Sequence, residues 1–412
     1  MSAQVLSPHI CIIGGGFGGL YTALYLQKYR HLRSSRITLI EPKSQFLFTP
    51  MMYELITDEL KDWEIAPTYS SLIAGKNIEW QQARAESVDT NVQTVTLDSG
   101  QSLRYDYLVA ARGAESLSAG IPGVDEHTLT FRSFEDTKLL RARLSQLVQT
   151  RSHSANPQPI HLTIIGGGPS GVELATKISD YLKSQQVPYR TTLVDRGETI
   201  LKPFPDALKK LGLRSLSKRG ATVLTQTSVQ SVAPQAVVVE SGGQTKTIPS
   251  DLTLWAIGTK PKPWLGHEPV EENEQGQRRT RRSLQLPEAD NVFVLGDSAD
   301  VRSANHKTAP DTAQAAFQAA NQVAKNIARM TQGKQPKPFN YLHLGDMLTL
   351  GVGDAGLHSF GITLGGRLAS LSRRTVYILR MPTMSHRMKV AKRAVKELLR
   401  AVLPHRSRQK RT

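Results

Sequence analysis

The chain has 412 residues, of which 39% are hydrophobic and 21% are charged, and this length predicts two or three domains. Its one cysteine, Cys11, excludes a disulfide framework, a CxxC redox pair and a cysteine metal site, and with them the reductases that pass electrons through a dithiol. The formal net charge is +17, and fourteen Lys and Arg residues lie between Arg367 and Thr412, so we expect a nearly neutral body with a basic tail.

Two similar stretches follow one another along the chain. The first reads CIIGGGFGGLYTALYL and continues to ITLIEPK, and the second reads TIIGGGPSGVELATKI and continues to TTLVDRG. Each predicts a strand, a G-x-G-x-x-G turn, a helix and a second strand that ends in an acid, Glu41 or Asp195. The turn glycines are Gly14, Gly16 and Gly19, then Gly166, Gly168 and Gly171.

In such a unit the first glycine permits a tight turn, the second lets a pyrophosphate approach the backbone, and the third lets helix and strand pack closely. The pyrophosphate binds free N–H groups at the helix N-terminus, and the acid accepts hydrogen bonds from a ribose. Two units in one chain predict two dinucleotide sites, the alternative being glycine turns in unrelated α/β units. Because the chain has no dithiol for a substrate, the two sites predict a flavin and a nicotinamide.

Three later segments each predict a strand that leads into a turn. They read YDYLVAARGAE (Tyr105–Glu115), DLTLWAIGTKP (Asp251–Pro261) and NVFVLGDSAD (Asn291–Asp300). With the repeat they resemble the flavoproteins that have two dinucleotide-binding domains, a glutathione-reductase-like α/β fold, over roughly residues 9–330.

This resemblance implies roles for the turn residues. Gly296 and Asp297 are expected to hold FAD, and Gly113 and Gly258 to form the other two cofactor-binding turns; an ordinary helix cap is the alternative role of Asp297. Arg112 departs from the small residue that is usual in the first of these turns.

The predicted organisation is two Rossmann-like domains followed by a basic amphipathic helical tail. We assign residues 1–123 and 287–335 to an FAD-binding domain and residues 124–286 to an NAD(P)H-binding domain inserted between them. Residues 336–412 are predicted to form a C-terminal region for membrane association.

The segment TAPDTAQAAFQAANQVAKNI places Gln314 and Gln318 on one face of a predicted helix. It resembles the type II NAD(P)H dehydrogenases, single-subunit quinone reductases, and this implies that both glutamines line a quinone pocket beside the flavin. A solvated helix face is the alternative. Within GGGPSGVE, Glu173 matches a family glutamate close to flavin and nicotinamide; the alternative is a carboxylate that complements the helix dipole.

The segment FLFTPMMYEL also matches this family, although Phe46, Phe48, Met51 and Met52 equally fit a plain hydrophobic core. The residues and spacing of the motifs are most similar to those of the cyanobacterial and plastid branch. Members of that branch reduce demethylnaphthoquinones such as demethylphylloquinone in phylloquinone synthesis. The implied reaction passes hydride from NAD(P)H to FAD and two electrons to a membrane quinone.

The choice between NADH and NADPH stays open in the sequence. Asp195 favours NADH because it accepts a hydrogen bond from the ribose 2′-OH, whereas Arg196 can pair with the 2′-phosphate of NADPH.

The tail predicts an amphipathic helix between Pro382 and Pro404. Its apolar residues recur at spacings of three and four: Met388, Ala391, Val395, Leu398 and Val402. With basic residues between them, this pattern favours binding to an anionic membrane surface. We therefore expect peripheral attachment to the cytoplasmic side of a membrane, which would be the thylakoid or plasma membrane in a cyanobacterium. A homodimer seam or a solvated helix is the alternative. Nucleic acid is disfavoured because aromatic residues are scarce in the tail.

Two other functional classes remain compatible with these patterns. One is a soluble flavin reductase with a protein acceptor such as ferredoxin. The other is a non-enzymatic flavoprotein that binds NADH and acts as a redox sensor.

Overall fold

The computed structural model describes residues 7–117, 120–154, 156–302 and 308–402. The strands in chain order are β1 (His9–Ile13), β2 (Arg36–Ile40), β3 (Glu79–Gln81), β4 (Ala85–Asp89), β5 (Thr94–Leu97), β6 (Ser102–Arg104), β7 (Tyr107–Ala110), β8 (Ala114–Ser116), β9 (Ile160–Ile165), β10 (Tyr189–Val194), β11 (Thr222–Leu224), β12 (Thr227–Ala233), β13 (Ala236–Ser241), β14 (Gln244–Pro249), β15 (Leu252–Trp255), β16 (Thr259–Pro261), β17 (Arg278–Arg279), β18 (Val292–Val294), β19 (Ala299–Asp300), β20 (Asp346–Thr349), β21 (Ala355–Ser359) and β22 (Ile362–Gly365).

The helices are α1 (Phe17–Leu26), α2 (Asp62–Ile65), α3 (Tyr69–Ile73), α4 (Val124–His127), α5 (Phe134–Ser152), α6 (Pro169–Ser184), α7 (Asp206–Lys218), α8 (Ala313–Met330), α9 (Gly366–Arg380) and α10 (Met384–Val402). Short 3-10 turns cover Arg30–Leu32, Thr49–Leu55 and Gly296–Ser298. No helix among the described residues is long and apolar enough to cross a membrane.

The first glycine loop belongs to a parallel sheet of five strands in the order β18-β7-β1-β2-β3. Strand β1 is the central strand, and its residues Ile10 and Ile12 are fully buried. Its continuous apolar sequence fits a parallel strand that is covered on both faces. Strand β18 comes from the second segment predicted for the FAD domain, and it completes the sheet by pairing with β7.

The second glycine loop belongs to a parallel sheet of four strands in the order β11-β10-β9-β15. Strand β9 takes the place that β1 has in the first sheet, next to the strand that carries the acid. Two small antiparallel sheets, β4-β5-β6 and β12-β13-β14, extend the two units. The predicted class of two Rossmann-like units is confirmed by this architecture.

The C-terminal region adds structure that the sequence patterns did not predict. Strands β20, β21 and β22 form an antiparallel sheet that packs against α7 and α9. These strands are only four or five residues long and two of them contain a glycine, so their apolar pattern is too weak to predict a strand. The tail helix predicted between Pro382 and Pro404 is present as α10, which covers Met384–Val402.

Hydrogen bonds attach this sheet to residues 124–286, which are predicted to bind NAD(P)H and are called the nicotinamide unit below; residues 1–123 and 287–335 are called the FAD unit. Arg219 binds both carboxylate oxygens of Asp180 at 2.7 Å, and Asp180 also accepts from the backbone N–H of Val352 at 2.7 Å. The Ser215 hydroxyl donates to the carbonyl of Leu350 at 2.6 Å. The two charged side chains are only 9% and 17% exposed, so water screens their attraction little.

We predict that Arg219→Met destabilises the protein by about 3 kcal/mol, because it leaves the largely buried Asp180 carboxylate without its cation. Denaturant unfolding of the holoprotein measures this loss. Lys209→Met is the matched control, since its partner Asp206 is 85% exposed and the pair should contribute less than about 1 kcal/mol. Equal losses in the two variants would contradict the role of Arg219.

Candidate functional site

The first glycine loop has the geometry that a dinucleotide requires. Gly14 has a φ of +96°, and a Cβ there would lie 2.3 Å from the carbonyl oxygen of Ala111. A Cβ on Gly19 would lie 1.8 Å from the carbonyl oxygen of Gly14, so helix α1 packs against β1 only because this residue has no side chain. A Cβ on Gly16 would meet nothing within 4 Å. The loop is therefore open at Gly16, at the N-terminus of α1, where a pyrophosphate binds.

The second loop repeats this geometry. Gly166 has a φ of +115°, and a Cβ there would lie 2.9 Å from the carbonyl oxygen of Ala256. A Cβ on Gly171 would lie 1.8 Å from the carbonyl oxygen of Gly166, while Gly168 faces open space at the start of α6. Both loops consequently fit a dinucleotide pyrophosphate.

The two acids are held over their loops in the same way. Glu41 accepts from the N–H of Gly15 at 2.8 Å and from the N–H of Lys43 at 3.0 Å. Asp195 accepts from the N–H groups of Gly167 and Gly197 at 2.5 and 2.7 Å. A carboxylate oxygen accepts more than one hydrogen bond, so both groups can still bind ribose hydroxyls.

Arg196 is exposed directly beside Asp195. An acid that suits NADH and a cation that suits a 2′-phosphate therefore lie together, and the structure leaves the choice of coenzyme open.

The remaining predicted turns lie close to the first loop. The Ser298 hydroxyl donates to the carbonyl of Gly113 at 3.0 Å, which brings the turn after β7 beside the Gly296–Ser298 turn. Gly113 and Gly296 both have positive φ, 68° and 71°. Burial raises the pKa of Asp297, against the lowering effect of Arg132. Gly258, with a φ of 63°, forms the corresponding turn of the second unit.

Glu173 belongs to a buried cluster of charges between the two units and the C-terminal region. Its carboxylate accepts from the N–H of Thr349 at 2.9 Å and lies 3.9 Å from Arg373. Arg373 also binds Glu54 and the carbonyl of Pro50. Glu173 and Glu54 are 7% and 6% exposed, and Arg373 is 4% exposed.

The two carboxylates of this cluster have different pKa values because Arg373 is nearer to one of them. Burial alone would raise the pKa of Glu54, but Arg373 and Lys177 lower it overall. At Glu173 burial is the larger effect, and it raises the pKa to about 7 in spite of Arg373 and the Thr349 hydrogen bond. Glu173 is therefore a carboxyl group that can hold or release a proton near neutral pH.

Sequence reasoning missed Arg373 and Glu54. Arg373 lies in the basic tail, where composition predicts exposed cations, and it comes from α9, a helix that was not predicted. Glu54 lies in the segment FLFTPMMYEL, which was noted for its apolar residues. A signal was present in both cases, because apolar residues at helical spacing flank Arg373 and the aromatic Tyr53 directly precedes Glu54.

The apolar residues of that segment form core. Phe46, Phe48, Met51 and Met52 are each at most 2% exposed. Phe17 at the start of α1 packs edge-on against Phe46 and Phe48, with ring centroids 5.3 and 5.4 Å apart. The structure thus favours the core interpretation of these four residues.

Gln314 and Gln318 lie on the predicted face of α8, but their amides bind the chain itself. Gln318 donates to the carbonyl of Leu342 at 2.8 Å and accepts from its N–H at 3.0 Å. Gln314 donates to the carbonyl of Gly345 at 3.2 Å and accepts from the N–H of Leu344 at 2.8 Å. That both glutamines line a quinone pocket stays a prediction, but the way in which they would contribute to the pocket differs from the one the sequence implied. They hold the 341–345 segment and do not present unpaired amides.

Comparisons with known proteins agree with this geometry. Residues 8–320 match the pyridine nucleotide-disulphide oxidoreductase family. The chain is 39% identical to demethylphylloquinone reductase NdbB of Synechocystis sp., over 93% of this chain and 94% of that protein. It is 33% identical to the alternative NAD(P)H-ubiquinone oxidoreductase C1 of Arabidopsis thaliana, over 93% of this chain and 79% of that protein.

The fold is similar to the structure of NDH2 from Plasmodium falciparum in complex with NADH. The TM-score is 0.83 at 18% identity, and the match covers 93% of this chain and 96% of that chain. These matches confirm the predicted fold class, the predicted family, and FAD with NAD(P)H as the cofactors.

We predict that Glu173→Gln removes a pH dependence of stability. The ordinary pKa of 4.5 is raised to about 7 in the folded protein. The stabilising effect of the protonated carboxyl is therefore complete below about pH 4.5, is lost as the pH rises to about 7, and is absent above. Over this pH range the free energy of unfolding of the wild type should fall by about 3 kcal/mol relative to that of the variant. The Gln side chain of the variant still has an oxygen that accepts from the N–H of Thr349. Denaturant unfolding at several pH values tests this, and parallel pH curves for both proteins would contradict it.

Proposed function

The chain belongs to the pyridine nucleotide-disulphide oxidoreductase family, to its type II NAD(P)H:quinone oxidoreductases, and from that membership we propose that its acceptor is a demethylnaphthoquinone. The enzyme uses FAD and NAD(P)H. The Synechocystis relative, by its name a demethylphylloquinone reductase, supports this quinone class. Reduction of a demethylnaphthoquinone is one step in making a methylated naphthoquinone.

The observation that carries the proposal is the two-sided character of helix α9. Arg373 and Ala369 lie on its inner face and are buried, and Arg373 binds the charged cluster that contains Glu173. Leu368, Leu371 and Leu379 lie on the opposite face and are 57–73% exposed. A single helix therefore separates the buried site from an apolar surface, which suits a substrate that is dissolved in lipid.

The chemistry of this reaction is supplied by bound FAD, which takes a hydride from NAD(P)H and gives two electrons to the quinone. The residues of the chain bind and orient the partners. The loops at Gly16 and Gly168 bind the two pyrophosphates, and the acids at Glu41 and Asp195 bind the riboses.

We assign Glu173 to holding a proton, because its pKa of about 7 makes both protonation states accessible at neutral pH. Arg373 positions this carboxyl group and stabilises its charged form. Gln314 and Gln318 shape the quinone side by fixing the 341–345 segment, whose Leu342 and Leu344 are 59% and 36% exposed.

We predict that Gln318→Leu slows reoxidation of the reduced holoenzyme by a short-chain demethylnaphthoquinone by about tenfold. The substitution removes two hydrogen bonds to Leu342, and a loss of roughly 1.4 kcal/mol at the reacting geometry has this effect. Stopped-flow absorbance measures the two half-reactions separately, and reduction by NAD(P)H should be unchanged. Asn321→Leu, at an exposed position of the same helix, is the control.

Three outcomes would contradict the acceptor assignment. The variant could impair only the NAD(P)H half-reaction, which would place α8 at the nicotinamide side. Ferredoxin could reoxidise the reduced protein quickly while the quinone does not. Slow reoxidation by both acceptors would favour the redox-sensor function.

We also propose that helix α10 attaches the enzyme to the surface of an anionic membrane, on the cytoplasmic side. Its exposed apolar residues, Met384, Met388, Val395 and Leu399, share one face, and the exposed Lys389, Lys392 and Lys396 flank it. The buried Val390 and the ion pairs of Arg393 with Glu64 and Glu397 hold the opposite face against the body. This arrangement supports an interfacial helix whose apolar face points outward.

We predict that Val395→Asp reduces binding to vesicles that contain phosphatidylglycerol at least fivefold, because it puts a charge into the apolar face. Co-sedimentation measures binding, and added salt should weaken the wild-type interaction because the lysines contribute to it. Val92→Asp, at a site that is 59% exposed on another part of the surface, is the matched control. Unchanged vesicle binding by Val395→Asp would contradict the proposal, and a dimer that dissociates in this variant would identify the face as a dimer seam.

A further inference from the structure

Arg112 lies against the backbone of the first dinucleotide loop. The N–H of Ala111 donates to the carbonyl of Ile13 at 2.8 Å, and a Cβ on Gly14 would lie 3.4 Å from the Cα of Arg112. The long cationic side chain thus begins where the chain passes the glycine turn at the end of β1.

A second cation reaches the same place from the other domain. The N–H of Lys262, just after β16, donates to the carbonyl of Gly113 at 3.1 Å. The guanidinium of Arg112 donates to the carbonyl of Pro263, and the buried Arg278 donates to the carbonyl of Lys262 at 2.7 Å. Arg112 and Lys262 are therefore neighbours across the junction between the FAD unit and the nicotinamide unit.

The nearby carboxylates are already engaged with other groups. Glu41 accepts from Gly15 and Lys43, Glu115 pairs with Lys260 at 3.2 Å, and Glu272 pairs with Arg278 at 2.7 Å. In the described part of the chain, no carboxylate lies within salt-bridge distance of Arg112 or Lys262.

The environment of both groups is unfavourable for a cation. Burial and then Arg278 lower the pKa of Arg112, and burial and then Arg112 lower the pKa of Lys262. Half-buried cations that repel one another cost free energy unless an anion joins them. The open space at Gly16 and at Gly113, where a Cβ would meet nothing within 4 Å, leaves room for that anion.

We propose that Arg112 and Lys262 bind the pyrophosphate of FAD, in addition to the N-terminus of α1. Arg112 then has a role at a turn where a small residue is usual. Because the two cations come from different domains, the adenosine diphosphate half of FAD also ties the nicotinamide unit to the FAD unit. This inference rests on FAD as the cofactor and is independent of which quinone the enzyme reduces.

Affinity for FAD tests the proposal without recourse to turnover. Apoprotein prepared from the holoenzyme is titrated with FAD, and the dissociation constant is read from the quenching of flavin fluorescence. Arg112→Thr and Lys262→Met should each weaken FAD binding at least about tenfold, the effect of one charge-assisted hydrogen bond. Lys260→Met is the matched control. Lys260 lies on the same segment as Lys262 but pairs with Glu115, so the FAD affinity of this variant should be unchanged.

Two further probes locate the effect on the cofactor. ADP should compete with FAD for wild-type apoprotein and compete much less well for the two variants. Riboflavin, which has no phosphate, should bind all the proteins equally. Added salt should weaken FAD binding less in the double variant than in the wild type, because fewer ionic contacts remain.

The opposite results would overturn the proposal. FAD affinity within twofold of the wild type in both single variants would show that the cations do not contact the pyrophosphate. An equal loss of riboflavin binding would show that the substitutions disturb the fold. Arg112→Lys keeps the charge, so this variant should retain part of the affinity for FAD. It also provides the test of Arg112 in the event that Arg112→Thr does not fold.

Discussion

The arrangement of the whole chain depends on the ion pairs that the buried Arg373 forms with Glu54 and Glu173. A guanidinium stays charged at any pH at which the protein folds, so it can enter the interior only with carboxylate partners. Glu54 comes from the FAD unit and Glu173 from the nicotinamide unit, and Arg373 comes from the C-terminal region. Because a buried ion pair that loses one partner costs about 3–5 kcal/mol, these three parts must dock together in one geometry. In this geometry burial raises the pKa of Glu173, and Arg373, which lies closer to Glu54, lowers it too little to offset that effect.

The two glycine loops provide the frame around this cluster. Both follow an interior strand of a parallel sheet and precede a helix, and each is closed by a carboxylate that accepts from loop N–H groups. Nucleotides bind at the carboxyl ends of parallel strands because the helix N-termini are exposed there. Helix α6 starts at the second loop and carries Glu173 in its first turns, so one rigid element joins this loop to the charged cluster.

The basic residues of the C-terminal region divide between two roles. Arg373 and Arg393 point inward and form ion pairs with Glu54 and Glu64, which fixes α9 and α10 to the body. The exposed lysines of α10 lie beside its outer apolar face and suit an anionic surface. The division follows from helix geometry, because residues on opposite sides of one helix meet opposite environments.

The amino-acid sequence by itself determined the two dinucleotide units, since each is a contiguous stretch in which apolar strands, turn glycines and an acid have a fixed spacing. It also determined the family and the amphipathic helix at the C-terminus, whose apolar spacing is local. Only the tertiary structure decided the partners of Glu173, because Arg373 and Glu54 are 319 residues apart in the chain and no local pattern joins them. It decided in the same way that Gln314 and Gln318 hold the 341–345 segment, and that Arg112 and Lys262 meet across a domain junction. Local periodicity predicts which residues are buried within one element, whereas ion pairs and side-chain hydrogen bonds depend on which distant elements the fold brings together.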